Sequence, residues 1–295
     1  MKKYALGIDI GGTYTKMGLV NKKGQIKFFL KINTFSNRNK EKTKNWLLKN
    51  IHAFLIKNRI EINSLFGIGI ALCRPFSKKS DSFVDPNYFS CTKVNFLELK
   101  KEFKIPIFLE NDANAAILGE KWKGKAKGKK NALLLTLGTG IGGAIIINGK
   151  IYKGADGLAG EIGHIKIGEK YQCSCGNIGC FETYCGGKNF FKRIQKKYKN
   201  PAEFFESKVK YDKKTKQVIN EAEKALSETI ANLNEIFDPE IIILTGSMAK
   251  ILKINKQVFK KFAHNKFHST KITRSSLNDK SAILGISKIV FNAIK

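Results

Sequence analysis

The stretch YQCSCGNIGC, residues 171–180, places Cys173, Cys175 and Cys180 in one short loop. His164 stands nine residues before the first of them, in GLAGEIGHIKIG, 157–168. Three thiolates and an imidazole make a Cys3His donor set, which fits a tetrahedral Zn2+. Four protein ligands close the coordination sphere, so the ion would be structural rather than catalytic. Gly176 and Gly179 allow the loop to fold tightly around it. Glu161 precedes His164 by three residues, and Glu182 follows Cys180 by two. A metal here would fix both carboxylates and leave the second ring nitrogen of His164 for a ligand hydroxyl.

Two other kinds of residue point to phosphate chemistry. DIGGTYTK, residues 9–16, holds Gly11, Gly12 and Thr13 in a turn whose backbone N–H groups can approach a phosphate. Asp9 could hold a hydrated Mg2+, and Lys16 is placed on the same phosphate side. LGTGIGG, residues 137–143, has the same character in Gly138, Thr139 and Gly140. Neither matches the Walker pattern or the dinucleotide fingerprint, but two such turns suit a nucleotide gripped from two sides. In ENDANAA, 110–116, Asn111 and Asp112 stand where a strand gives way to a helix. The plain reading is a helix cap. The functional one is a general base for a hydroxyl that attacks a phosphoryl group.

These residues need strand ends and turns to hold them. YALGIDI (4–10), TKMGLV (15–20) and QIKFFLKI (25–32) read as a three-stranded meander. A helix is expected over 40–58, where Trp46, Leu47, Ile51, Phe54 and Leu55 repeat at helical spacing. Strands follow at 65–72 and 105–110, the second leading into an Ala-rich helix. The theme then returns: strand 131–137, glycine turn 138–143, strand 144–149 and a short strand 150–154. A long helix around 214–237, a strand at 240–246, a helix after it and a last helix at 281–294 complete the pattern. Strand, glycine turn, strand occurs twice, which implies two related α/β halves with a cleft between them. Residues 1–112 with 281–295 would form the first domain, and 113–280 the second, carrying the zinc loop.

Lys and Arg number 54 against 24 Asp and Glu, a net charge of +30. Such a balance raises the question of a nucleic-acid partner, but lysine is spread over the whole chain, and patch geometry rather than total charge marks a nucleic-acid site. No specific nucleic acid is expected. The positive field would favour anionic ligands such as nucleotides. No run of about 18 apolar residues occurs, so no membrane span is expected. The N-terminal apolar run is short and broken by Asp9, unlike a secretory leader. Four of the six cysteines lie between 173 and 185, which fits a metal in a reducing cytoplasm better than a disulfide framework. Cys73, Cys91 and Cys185 read as buried or incidental thiols, and His52, His264 and His268 have no evident partners.

GIDIGGTYTK, ENDANAA, LTLGTGIGG, GLAGEIGH, CSCGNIGCFE and DPEIIILTGSMA, in this order over roughly 7–250, resemble the ROK family of sugar kinases and sugar-responsive repressors, within the actin-like ATPase superfamily. The resemblance implies two ribonuclease-H-like domains, ATP with Mg2+, and phosphorylation of a hexose hydroxyl. It places the sugar against Asn111, Asp112, Glu161, His164 and Glu182, with Asp112 as base, and Gly246 in the adenosine-side turn, where Thr245 replaces a common glycine. Family members are often dimers or tetramers. ALCRPFSKKSDSFVD, 71–85, departs from the family's Pro-Gly-x-Val-Asp stretch, with Cys73 and Arg74 in place of small residues. Asp85–Pro86–Asn87 matches a later Pro-Asn of the family, and Gly186 stands where Ser is usual. The expected activity is that of an ATP-dependent hexose kinase of glucose type. The alternatives are an N-acetylmannosamine, N-acetylglucosamine or fructose kinase, and a non-catalytic sugar sensor. Only six residues precede Gly7, which leaves no room for the helix-turn-helix domain of a repressor, so the kinase is favoured.

Overall fold

The computed structural model describes residues 2–35, 40–72, 76–77, 82–83, 96–194, 204, 211–262 and 269–294. Cys73, Arg74, residues 85–87, Cys91, His264 and His268 lie outside the described residues. Two compact units emerge: residues 1–128 with 153–159 and 279–295, and residues 129–152 with 160–278. The sequence pattern predicts a boundary at 112; the compact units divide at 128, the helix after 111 packing on the C-terminal helix.

The first unit begins with β1 (Tyr4–Ile10), β2 (Tyr14–Asn21) and β3 (Ile26–Asn33), the expected meander. Then come α1 (Lys40–Lys57), β4 (Leu65–Leu72), a two-stranded pair β5 (Phe76–Ser77) and β6 (Ser82–Phe83), α2 (Phe96–Phe103), β7 (Ile107–Asn111) and α3 (Asp112–Lys123). The five-stranded sheet runs β3-β2-β1-β4-β7, antiparallel among the first three and parallel from β1 onward. Because β1 and β4 are apolar on both faces, both faces must be covered. Leu6, Met17, Ile51, Ile68, Ile70 and Phe103 belong to the resulting core. His52 finds the partner the sequence does not show: its Nε2 lies 3.2 Å from Glu102 Oε1, and its ring stands 5.1 Å from that of Phe103.

The second unit repeats the plan. It contains β8 (Ala132–Leu137), β9 (Ile141–Ile147), β10 (Lys150–Ile151), α4 (Phe181–Cys185), α5 (Gly187–Ile194), α6 (Lys213–Phe237), β11 (Ile241–Thr245), α7 (Met248–Ile251), α8 (Lys256–Phe262) and β12 (Lys271–Arg274). Its sheet order, β10-β9-β8-β11-β12, has the same sequence of antiparallel and parallel pairs as the first. The Asp212 carboxylate caps α6 by accepting from Thr215 N–H at 2.7 Å. Asp238, in left-handed backbone at φ 39°, ends that helix just before Pro239. The strand β9 starts at Ile141, three residues earlier than expected. Gly142 and Gly143 pair with Thr136 and Leu135 rather than belonging to the turn. Glycine is needed at 143 because a Cβ there would press on the Gly160 carbonyl oxygen.

The chain closes with α9 (Ser281–Ala293), which lies against α3 in the first unit. The two backbones approach at glycines: a Cβ on Gly285 would run into the Ala115 carbonyl, and one on Gly119 into that of Ser281. Backbone cannot yield as a flexible side chain can. Gly285→Ala is therefore expected to destabilise the protein by about 1–3 kcal/mol, as overpacking does, read as a lowered urea midpoint. A midpoint equal to that of the wild type would show that the helices can separate freely.

Candidate functional site

The first glycine turn joins β1 to β2. Gly11 N–H donates to the Tyr14 carbonyl at 3.1 Å, closing it. Thr34 braces it from the end of β3: its hydroxyl donates to the Gly11 carbonyl at 2.7 Å, and its N–H to that of Thr13 at 2.9 Å. Gly12 is half-buried and Thr13 exposed. Asp9, buried at the end of β1, faces Lys16 across the β1–β2 ladder. The Lys16 ammonium lies 2.9 Å from Asp9 Oδ2 and 3.4 Å from Asp279 Oδ1, and Lys31 reaches Asp279 at 2.8 Å. Burial pulls the Lys16 pKa down, but Asp9 and Asp279 together outweigh it and hold it above the ordinary lysine value. The residues placed on the phosphate side are thus a turn and, beneath it, an ion-pair network.

The second turn, Gly138–Thr139–Gly140, joins β8 to β9 at the matching place in the second sheet. Gly138 N–H donates to the Gly140 carbonyl at 3.0 Å. The carbonyls of Gly138 and Thr139 accept from the N–H groups of Gly187 and Lys188 at 2.8 and 2.9 Å. Glu182 completes the brace: its Oε2 accepts from Ile141 N–H at 2.8 Å and fills the space where a Cβ on Gly140 would stand. Glu182, a residue the resemblance assigns to sugar, therefore also organises the phosphate-type turn. Gly246 follows β11 at φ 94°, with its α-carbon turned toward the Leu137 carbonyl, a conformation glycine adopts readily.

Asn111 and Asp112 sit where β7 passes into α3. The capping role falls to Asn111, whose side-chain oxygen accepts from Asn114 N–H at 3.0 Å. Asp112 is the first helical residue and half-buried, with Oδ1 2.8 Å from Ala113 N–H. Sequence reasoning passed over Glu110 next to it. Glu110 is buried, and its carboxylate meets the Asn111 N–H at 3.0 Å, the Asn114 side-chain amide at 3.2 Å and the Lys153 ammonium. The signal was present in a charged residue at the end of an apolar strand.

In the second unit the four proposed ligands come together. His164 Nδ1 lies 3.6 Å from Cys173 Sγ, Cys175 and Cys180 have sulfurs 3.6 Å apart, and all four ligand atoms fall within 4.8 Å of one another. Tetrahedral zinc, with bonds of about 2.3 Å to sulfur and about 2.0 Å to nitrogen, needs S···S near ~3.8 Å and S···N near ~3.6 Å. The donor set fits the ion. Gly176 and Gly179 take φ 95° and 81°, the positive values the tight loop requires. Burial first, then its sulfur neighbours, pushes the Cys180 thiol up to about 12 in the absence of metal. A bound cation reverses that balance and favours the thiolates.

The loop is tied to the body of its unit. Tyr171 Oη donates to Glu221 Oε2 at 2.9 Å, Arg193 Nη1 approaches the same oxygen at 3.3 Å, and the Arg193 guanidinium stacks over the Tyr171 ring at 4.8 Å. Glu161 lies with its carboxylate 3.9 Å from His164 Nε2. Burial raises its pKa; His164 opposes the shift, and the like charge of Glu182 adds to it. Glu161, His164 and Glu182 thus share one electrostatic environment. Cys185 is fully buried and donates to the Ala222 carbonyl at 3.1 Å, a structural thiol. Among the described residues no helix is long and apolar enough to cross a membrane.

The ROK family model matches residues 5–293, nearly the whole chain. The protein belongs to the ROK family. Among its relatives, a xylose repressor of Bacillus spizizenii is 32% identical over 97% of this chain and 77% of its own length. A glucokinase of Halalkalibacterium halodurans is also 32% identical, over 88% of this chain and 86% of its own. The ROK family glucokinase of Streptomyces griseus, solved with glucose and AMPPNP, superimposes with a TM-score of 0.84 at 22% identity, over 98% of this chain and 99% of that one. That likeness carries the fold alone: this ROK protein is an α/β protein with the actin-like ATPase fold, its two five-stranded sheets having the same sequence of antiparallel and parallel pairs.

Proposed function

We propose that this ROK protein is an ATP-dependent sugar kinase acting on a hexose of glucose type. The observation that carries the reading is Asp112. It opens α3 at a strand end, while its neighbour Asn111 does the capping that would otherwise account for an acidic residue there. In this reading Asp112 takes the proton of the attacking sugar hydroxyl. The new O–P bond forms as the bond from the γ-phosphorus to the β–γ bridging oxygen breaks, releasing ADP and the sugar phosphate. Backbone N–H groups of the two glycine turns stabilise the charge on the transferring group. Asp9 is the residue that would hold a hydrated Mg2+, and such an ion would supply further neutralisation of the phosphates. Asn111, Glu161, His164 and Glu182 bind the sugar hydroxyls. With Nδ1 turned to the sulfurs, His164 keeps Nε2 for a hydrogen bond to the sugar. Gly246 approaches the adenosine. We assign the enzyme to the cytoplasm, a reading supported by a thiol-rich loop that suits a metal in a reducing compartment, and we assign it a homodimeric or higher assembly.

A second reading, a sugar-responsive regulator without turnover, is favoured by the 32% identity to the Bacillus spizizenii xylose repressor. A coupled assay of ADP release over glucose, fructose, mannose, N-acetylglucosamine, N-acetylmannosamine and xylose separates the two. The kinase reading expects sugar-dependent ADP release, strongest with glucose. Sugar binding by calorimetry with no ADP release from any sugar would decide for the regulator.

A further inference from the structure

The residues 153–159 belong compactly to the first unit, although the chain on both sides, 129–152 and 160–278, belongs to the second. This strap bends back on itself: Ala159 N–H donates to the Lys153 carbonyl at 3.1 Å, and Gly154 and Gly157 take φ 71° and 82°. Its one ionic tie among the described residues is Lys153 to Glu110. Glu110 is 6% exposed, and a carboxylate so buried is costly unless a charge and hydrogen bonds compensate it. Lys153 supplies the charge. The same carboxylate receives the N–H of Asn111 and the side-chain amide of Asn114, so it fixes the first turn of α3 from behind.

We propose that Lys153, acting through Glu110, is a positioning residue for Asp112, holding the β7–α3 junction in the geometry that proton transfer needs. The proposal rests on the kinase reading above. Lys153 is 39% exposed on its side chain and one residue, Asn111, separates Glu110 from Asp112, so its effect passes through the junction rather than through the substrate. Without the ammonium, the Glu110 carboxylate is left uncompensated and must turn toward water, which releases Asn111 N–H and Asn114. Displacements of about 1 Å at a reacting group can cost about 10²-fold in rate. A partial loosening of one hydrogen-bonded turn should cost about tenfold.

The test is steady-state kinetics of ADP release on the full chain. Lys153→Met should lower kcat about tenfold with the sugar and ATP KM values nearly unchanged, and Lys153→Arg should restore most of it. Glu110→Gln should lower kcat similarly, and the double variant should be no slower than the worse single one, as expected for residues acting through one junction. If Lys153→Met keeps kcat within twofold, or raises KM at unchanged kcat, the positioning role is overturned while the kinase reading stands. If the wild type turns over no sugar, both are overturned together.

Discussion

Asp112→Asn is expected to lower kcat for sugar phosphorylation by about 10²–10⁴-fold, the range that general-base groups contribute. Sugar KM should move little, because the amide keeps the shape and one hydrogen-bonding oxygen while losing the basic lone pairs. The fold should survive. Asp112 sits at the first position of α3, where a negative charge interacts with the helix dipole for about 0.3–1 kcal/mol. The cap itself belongs to Asn111, so Asn111→Ala should cost more stability, about 0.5–2 kcal/mol. The pair of variants therefore separates chemistry from helix capping: one loses rate without much stability, the other stability as well. Measurement is by the coupled ADP assay and by thermal unfolding of the same samples. An Asp112→Asn enzyme with near-normal kcat would end the base assignment, and with it the main support for the kinase reading.

Much of the scaffold was readable because apolar runs and glycine turns recur. The strand β4 spans Leu65–Leu72, as its continuous apolar run predicts, and β1 spans Tyr4–Ile10. The repeated strand, glycine turn, strand pattern announced two sheets of equal order. What escaped notice was short or charged at its ends. The strand β12, Lys271–Arg274, has only four residues and begins and ends on cations, and its place comes from parallel pairing with β11. In α2, Leu99 and Phe103 are one helical turn apart and both buried, a pair too sparse to stand out as a period. At the site, the clustering of His164, Cys173, Cys175 and Cys180 was legible because their spacing is itself a chemical pattern. Glu110 and the double role of Glu182 were not, since both depend on partners 43 and 41 residues away in the chain.

Glu182 makes the cysteine loop more than a local brace. It lies in α4, two residues past Cys180, and holds the second glycine turn through Ile141 N–H. A shift of the loop would therefore reach the carboxylates proposed for the sugar and the turn proposed for phosphate at once. Purified protein should contain one zinc per chain, and Cys175→Ser or removal of the ion by a strong chelator should abolish that stoichiometry. Isolated zinc fingers owe about 10–16 kcal/mol to the metal. Here the second unit has its own apolar core around Phe181, Phe190 and Leu226, so only part of that loss should appear globally, as a fall of about 5–15 °C in Tm. Sugar affinity should weaken in the same samples. The pH dependence has a definite sign: protons compete with the metal for the three thiolates and for His164, so zinc retention should decline as pH falls and recover as it rises. The exposed Cys175 offers a comparison with the buried Cys180, whose replacement should lower Tm further because a hydroxyl is then left in the protein interior. Full-length protein free of zinc by metal analysis, yet with unchanged Tm and sugar affinity, would mean that the three sulfurs and the imidazole hold the loop by packing alone.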